Sequence, residues 1–292
     1  FMAVLLAKYK YVKMHFPGGC KIGSRPIDQT LKAFKLLGAT IEEENDIYTI
    51  YADELIGNEI ELDMPSVGAT INSIIVAVLA KGKTIIKNAA KEPEIGDLIN
   101  MLNKMGAKIT GIDTSEITIE GVTSLTGCNH DIIPDRIETG TYTIIGALLG
   151  SYLKIDNIVP KHIKSLTDAL EQMGAELEIH DDYLIINSTK LKAIDIKTSG
   201  YPGFPTDLQQ PFVSLLTKAK GKSMMTETIY ENRFMNIPYL NKMGANIHID
   251  NKTATILGPT KLIGREVVAT DLRAGASLLI AGLIAEGQTI IT

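Results

Sequence analysis

The chain has 292 residues, 45% of them hydrophobic and 22% charged, with a formal net charge of −5. That length supports one large domain or two ordinary ones, and an acidic balance with scattered Lys and Arg argues against a nucleic-acid partner. No apolar run approaches the ~20 residues needed to cross a bilayer, and two cysteines, Cys20 and Cys128, are too few for a disulfide framework, which points to a reducing, cytoplasmic compartment.

Phe1 opens directly into an apolar helical stretch, and Thr292 stops inside the strand-like run Gln288-Thr-Ile-Ile-Thr, so the chain is expected to be a segment of a longer protein. The segment His15-Phe-Pro-Gly-Gly-Cys-Lys-Ile-Gly-Ser-Arg-Pro-Ile-Asp28 is broken by Pro17, Gly18, Gly19 and Gly23 and reads as an irregular loop. Pro26 suits the first turn of a helix running to Leu37. Cys20 therefore precedes a helix N-terminus, with Lys21 and Arg25 close in sequence. Both features favour the thiolate and make Cys20 a candidate acid or nucleophile; the alternative is an ordinary loop cysteine.

A repeat organises the rest of the chain. Gly-Ala recurs at Gly38-Ala39, Gly106-Ala107, Gly174-Ala175 and Gly244-Ala245, a period of about 70 residues. Each copy follows an amphipathic stretch: Ile95, Leu98, Ile99, Leu102 and Met105 share one helical face, as do Ile163, Leu166, Leu170 and Met173. Gly just past the last apolar position is a helix stop. Alternating sequence then flanks a polar turn, as in Ile109-Thr-Gly-Ile-Asp-Thr-Ser-Glu-Ile-Thr-Ile, and predicts a β-hairpin. A second marker interleaves, at Lys81-Gly82, Gly150, Lys220-Gly221 and Glu286-Gly287, each closing a helix and opening a strand. The unit is thus βαβαββ, in an α+β (mixed α/β) chain. The stretch from about Ala274 to Ala285 is apolar nearly all round and predicts a helix buried on every side, with sheets wrapped around helices; the alternative is a generic α+β duplication with no special geometry.

Several polar segments interrupt this pattern at predicted helix starts. Ser66-Val-Gly-Ala-Thr70 suits either a simple cap or a phosphate held by backbone N–H groups. Pro134-Asp-Arg-Ile-Glu-Thr-Gly falls between two repeats. In Phe204-Pro-Thr-Asp207, the Asp is either an N-cap or a functional carboxylate. Arg233, in Glu231-Asn-Arg-Phe-Met235, and Arg273, in Ala269-Thr-Asp-Leu-Arg-Ala274, each oppose the dipole of a predicted helix start. They read as anion-recognising or as exposed surface residues. Cys128 lacks cationic neighbours, the five His show no metal-ligand spacing, and no P-loop or Gly-x-Gly-x-x-Gly occurs.

Taken together, Pro17-Gly-Gly-Cys-x-Ile-Gly-x-Arg-Pro-x-Asp28, Pro134-Asp-Arg-Ile-Glu-Thr-Gly, Phe204-Pro-Thr-Asp207, Glu231-Asn-Arg-Phe-Met235 and Ala269-Thr-Asp-Leu-Arg273-Ala resemble the UDP-N-acetylglucosamine 1-carboxyvinyltransferase family, colinearly over the whole chain. The resemblance implies a two-domain inside-out α/β barrel (an α-β prism), with a partial N-terminal domain over 1–133, a partial C-terminal domain over 134–292 and an active site between them. It implies phosphoenolpyruvate and UDP-N-acetylglucosamine as substrates and no metal or organic cofactor. It implies Cys20 as a lid-loop acid toward the methylene carbon, able also to add to phosphoenolpyruvate, and Asp207 as the base for the sugar hydroxyl. Arg25, Arg233 and Arg273 would hold phosphate and carboxylate. Arg25, Pro26, Ile27, Asp28, Gln29, Met64, Pro65, Ser66, Val67, Asp207 and Ile229 match the sugar-nucleotide contacts, and Cys20 implies inhibition by fosfomycin.

This sequence departs from the family where the family has an N-terminal Lys-Asn pair, an Arg just before the position of Phe1 and an Arg near the C-terminus, all beyond the chain. Two rival readings stand beside the resemblance. The sister enzyme making 5-enolpyruvylshikimate 3-phosphate shares the fold and donor but not the Pro-Gly-Gly-Cys or Phe-Pro-Thr-Asp stretches. A non-catalytic sugar-nucleotide-binding paralogue is opposed by the presence of Cys20, Asp207 and Arg273.

Overall fold

The computed structural model describes residues 1–16, 18, 27–188 and 190–292. Among them the chain divides into two compact units, one ending at Ile133 and the other running from Pro134 to Thr292.

In the first unit, helix α1 (Met2–Tyr9) leads to β1 (Tyr11–His15), then α2 (Asp28–Leu36) and the hairpin β2 (Thr40–Glu44) and β3 (Ile47–Tyr51). These strands form an antiparallel sheet in the order β1-β3-β2. Next come β4 (Glu59–Glu61), α3 (Val67–Ala77), β5 (Lys83–Lys87), α4 (Pro93–Lys104), β6 (Lys108–Thr110) and β7 (Glu116–Glu120). That run is one complete βαβαββ unit. Its sheet has the order β4-β5-β7-β6, with β4 parallel to β5 and the other pairs antiparallel.

The second unit repeats the plan. Helix α5 (Arg136–Leu149), β8 (Leu153–Asp156), a 3-10 turn, α6 (Lys164–Met173), β9 (Glu176–Ile179) and β10 (Tyr183–Asn187) build the sheet β8-β10-β9. Then β11 (Ile196–Lys197), a 3-10 turn over Thr206–Leu208, α7 (Gln209–Leu216), β12 (Gly221–Thr226), α8 (Ile237–Lys242), β13 (Ile247–Asp250) and β14 (Thr253–Gly258) give a second complete unit, in the order β11-β12-β14-β13. Last, β15 (Glu266–Val267) and β16 (Ile290–Ile291) pair in parallel around α9 (Leu272–Ile284).

The glycine punctuation works as the sequence predicts. Gly38, Gly106, Gly174 and Gly244 all take φ between 93° and 104°, a conformation that a side chain resists, and each ends its helix on time. The hairpins obey the two-residue period: Ile117 and Ile119 of β7, and Ala254 and Ile256 of β14, point into their cores, while the residues between them are less buried.

One expectation is corrected. The helix buried on every side is α7, all eight of whose residues are buried, and it packs against α5, α9, β12 and β14. Helix α9 covers only its Ala274, Ser277, Leu278, Ile280 and Ala281 face; Leu272, Leu279 and Leu283 are exposed. Apolar residues all round permit full burial but do not supply neighbours. Conversely, α7 carries Gln209, Gln210 and Ser214, so its sequence disguises an interior helix. Ser214 Oγ instead bonds the carbonyl and hydroxyl of Ser277 on α9, both at 2.8 Å, which satisfies polar groups that burial would otherwise penalise.

Candidate active site

The sharpest polar constellation among the described residues joins three segments of the second unit. Phe204 and Leu208 are both buried, and Phe204 meets Phe212 of α7 edge to face at 5.1 Å. These two apolar anchors fix the short turn between them and set Asp207 at the start of the α7 segment. Its carboxylate caps neither the 3-10 turn nor α7. Instead Arg233 Nη2 donates to Asp207 Oδ1, and Arg273 Nη2 donates to Oδ2 at 2.9 Å. Sequence separations of 26 and 66 residues thus close to one ion triad.

The three members differ in burial. The Arg233 side chain is 3% exposed, that of Arg273 26% and that of Asp207 38%. Tyr230 stacks its ring under the Arg233 guanidinium at 5.4 Å. Arg233 Nε is buried with no hydrogen-bond partner among the described residues. Burial opposes the charge on Asp207, but Arg273 and then Arg233 outweigh it and hold the carboxyl below its ordinary range. Arg233 does not begin a helix as expected; it lies in the turn before α8. Its neighbours Phe234, Asn236 and Ile237 are buried, and that packing holds the guanidinium inside.

Arg273 does sit in the first turn of α9, where the macrodipole disfavours it. Asp271 is the N-cap: its Oδ1 accepts from the N–H groups of Arg273 at 2.9 Å and Ala274 at 3.1 Å. Gln210 Nε2, buried on α7, also reaches Asp271, at 3.2 and 3.3 Å. Sequence reasoning misses both Asp271 and Gln210. An Asp just before an apolar helix is a readable cap signal; a buried Gln gives none.

In the first unit, Gln29 at the start of α2 donates from Nε2 to Asp63 Oδ2 at 2.7 Å and accepts from the Asp63 N–H at 2.9 Å. The Ile27–Gln29 and Met64–Val67 segments are thereby tied together. Asp28, Met64 and Pro65 are exposed and Ile27, Ser66 and Val67 half-buried, whereas Gln29 is buried and committed to Asp63. Ser66 caps α3, accepting from the Ala69 N–H at 3.3 Å. Ile229 in the second unit is 45% exposed. Cys20, Arg25 and Pro26 lie outside the described residues.

Chemically, two guanidinium groups around one ionised carboxylate leave positive charge and spare N–H donors, a setting for a phosphate or carboxylate beside a potential base. Among the described residues no group of three or more His, Cys, Asp or Glu is placed to hold a metal ion. No helix of the described residues is long and apolar enough to cross a membrane.

Residues 1–292 match the family model described as EPSP synthase (3-phosphoshikimate 1-carboxyvinyltransferase). UDP-N-acetylglucosamine 1-carboxyvinyltransferase 2 of Geobacillus kaustophilus (strain HTA426) is 52% identical over 292 residues, covering 100% of this chain and 68% of the relative. The protein of the same name from Bacillus subtilis (strain 168) is 52% identical over 293 residues, with the same coverage. Among solved structures, the enolpyruvyl transferase NikO from Streptomyces tendae superposes with a TM-score of 0.88 at 23% identity, over 99% of this chain and 70% of that one. An EPSP synthase from Acinetobacter baumannii gives 0.73 at 20% identity, over 99% and 71%. At those identities the structural likeness speaks for the fold: the mixed α/β architecture of βαβαββ units is that of the enolpyruvyl transferases.

Proposed function

The chain belongs to the enolpyruvyl transferases and, within them, to the UDP-N-acetylglucosamine 1-carboxyvinyltransferase family, and on that premise we propose that it moves the enolpyruvyl group of phosphoenolpyruvate to the 3′-hydroxyl of UDP-N-acetylglucosamine with release of phosphate. The observation that carries this reading is the identity of 52% over the entire chain to relatives of that name. The Asp207–Arg233–Arg273 triad supports it with suitable chemistry. The 3-phosphoshikimate acceptor has less support, since the likeness to that enzyme's structure stands at 20% identity.

In this mechanism Arg233 and Arg273, with Arg25, hold the phosphate and carboxylate of phosphoenolpyruvate. An arriving anion competes with Asp207 for the two guanidinium groups. As they turn toward it, the carboxyl of Asp207 loses the charges that depress it and becomes a stronger base. Asp207 then takes the 3′-hydroxyl proton while the oxygen bonds to C2 of phosphoenolpyruvate, and Cys20 delivers a proton to the methylene carbon. Breaking the C2–O bond to phosphate and losing a proton from the new methyl group restores the double bond. The arginines offset the charge that develops on the way, the usual work of fixed cations in a site closed to water. Pro26, Ile27, Asp28, Gln29, Met64, Pro65, Ser66, Val67 and Ile229 contribute to the sugar-nucleotide site. This reading makes the reaction the first committed step of bacterial peptidoglycan synthesis, places it in the cytoplasm and makes Cys20 the target of fosfomycin.

The test is phosphate release from phosphoenolpyruvate by the full-length protein, with UDP-N-acetylglucosamine or shikimate 3-phosphate as acceptor and a Cys20→Ala variant alongside. Release with the sugar nucleotide alone, lost in the variant and blocked by a fosfomycin adduct that mass spectrometry maps to Cys20, is the expected result. A folded protein that releases no phosphate with either acceptor refutes the enzyme reading and favours a binding paralogue.

A further inference from the structure

Glu227 follows β12 and is only 1% exposed. A glutamate at a strand end ordinarily faces water; here four donors converge on it. Its Oε1 accepts from the backbone N–H groups of Ile229 at 2.7 Å and Tyr230 at 3.2 Å and from Thr198 Oγ1 at 3.0 Å. Its Oε2 accepts from Thr206 Oγ1 at 2.9 Å.

The partners are what give this arrangement meaning. Thr206 immediately precedes Asp207. Ile229 and Tyr230 open the turn that carries Arg233, and the Tyr230 ring lies beneath the Arg233 guanidinium. Thr198 extends the same clamp: its Oγ1 accepts from the Thr228 N–H at 2.9 Å, and its carbonyl accepts from Thr228 Oγ1 at 2.7 Å. One buried carboxylate therefore ties the side chain of Thr206, next to Asp207, to the backbone of the turn that carries Arg233. Among the described residues no strand pairing joins the Thr206–Asp207 turn to the Ile229–Arg233 turn, so placement of these two charges depends on such side-chain contacts.

We infer that Glu227 is a positioning residue for the proposed enolpyruvyl transfer, setting Asp207 through Thr206 and the Ile229–Arg233 turn through its backbone amides. The inference rests on the functional reading above. Glu227 touches no reacting atom in this scheme. Its influence runs through geometry, where a displacement of about 1 Å in a catalytic group costs roughly a hundredfold in rate.

Three variants of the full-length protein test it by steady-state kinetics, with thermal melting as the fold control. Glu227→Ala removes all four contacts and is expected to lower kcat/KM by about 100-fold, with KM for UDP-N-acetylglucosamine raised because Ile229 is released. In Glu227→Gln the amide oxygen can take the place of Oε1 and the amide nitrogen can donate to Thr206, whose hydroxyl turns to accept; activity is expected to stay within about threefold of wild type. Thr206→Val cuts only the link to Asp207. It is expected to lower kcat by about tenfold while leaving KM for the sugar nucleotide within about twofold. A general loss of rigidity would not produce that split. A folded Glu227→Ala protein with wild-type kinetics overturns the inference, as does a Glu227→Gln protein as impaired as the alanine variant, which would assign the role to charge. Should the alanine variant not fold, wild-type kcat in Thr206→Val overturns it equally. A wild-type enzyme silent toward the sugar nucleotide removes the functional reading and this inference together, whereas an active wild type with indifferent variants removes this inference alone.

Discussion

Replacing Asp207 by Asn preserves shape and removes one charge from the ion triad. Arg233, whose side chain is 3% exposed, then keeps a buried guanidinium with no carboxylate against it, while Arg273 at 26% exposure retains some solvent. Breaking a fully buried pair by removing one partner costs about 3–5 kcal/mol. Asp207 is 38% exposed, and solvent screening discounts that figure; Asn also still accepts one hydrogen bond, so about 2 kcal/mol is the expected loss. For a unit of this size each kcal/mol moves Tm by about 2–4 °C, so the variant is expected to melt about 4–8 °C lower near neutral pH. The pH dependence has a definite sign. A carboxyl depressed in the folded state stabilises fully above its unfolded value of 3.8, and that stabilisation is lost as pH falls through the lower folded value. The gap between wild type and variant should therefore be flat from mild acid to neutrality and shrink only below about pH 4. Inorganic phosphate should also raise Tm more in the variant than in wild type, because Asp207 no longer competes for the arginines. Scanning calorimetry across pH, with and without phosphate, reads all of this. Equal melting temperatures at neutral pH together with equal phosphate shifts would refute the triad as an anion site held by its own carboxylate.

Packing around α5 and the contacts of the first unit give two further expected outcomes. A Cβ added to Gly140 on α5 would stand 2.5 Å from Leu208 Cδ1 and 3.3 Å from Leu166 Cδ2. Gly140→Ala should thus destabilise by about 1–3 kcal/mol and, by pushing Leu208, disturb its neighbour Asp207; denaturant melts and kcat measured together check both. Gln29→Ala removes both bonds to Asp63 and is expected to raise KM for UDP-N-acetylglucosamine by about tenfold, with kcat little changed. Equal KM values would separate Gln29 from the sugar-nucleotide site.

Much of the fold is legible in punctuation. Gly-Ala at a regular period marks four helix ends, and alternation around polar turns marks the hairpins, because both signals are local. Which helix sits innermost is not local information. Helix α7 looks amphipathic until Ser277 and Asp271 are brought against its Ser214 and Gln210. At the site, Asp207, Arg233 and Arg273 are recognisable as unusual, yet either a cap or a surface role explains each alone. Only the closing of 26- and 66-residue separations distinguishes these readings. Glu227 gives no sign at all, since nothing near it in sequence announces that Thr198 and Thr206 will donate to its side chain.

The interior position of α7 has a bearing on how this chain acquires competence. A helix walled in by α5, α9, β12 and β14 cannot be seated until partners from distant parts of the sequence have arrived, and such non-local closure is the slow part of folding. Asp207 lies in the 3-10 turn that leads into that helix, and Arg273 on the first turn of one of its walls. Partly assembled chains would consequently hold neither charge in place. Anion affinity at the triad should emerge in a single late step of refolding, making it a natural reporter of complete assembly rather than of secondary structure.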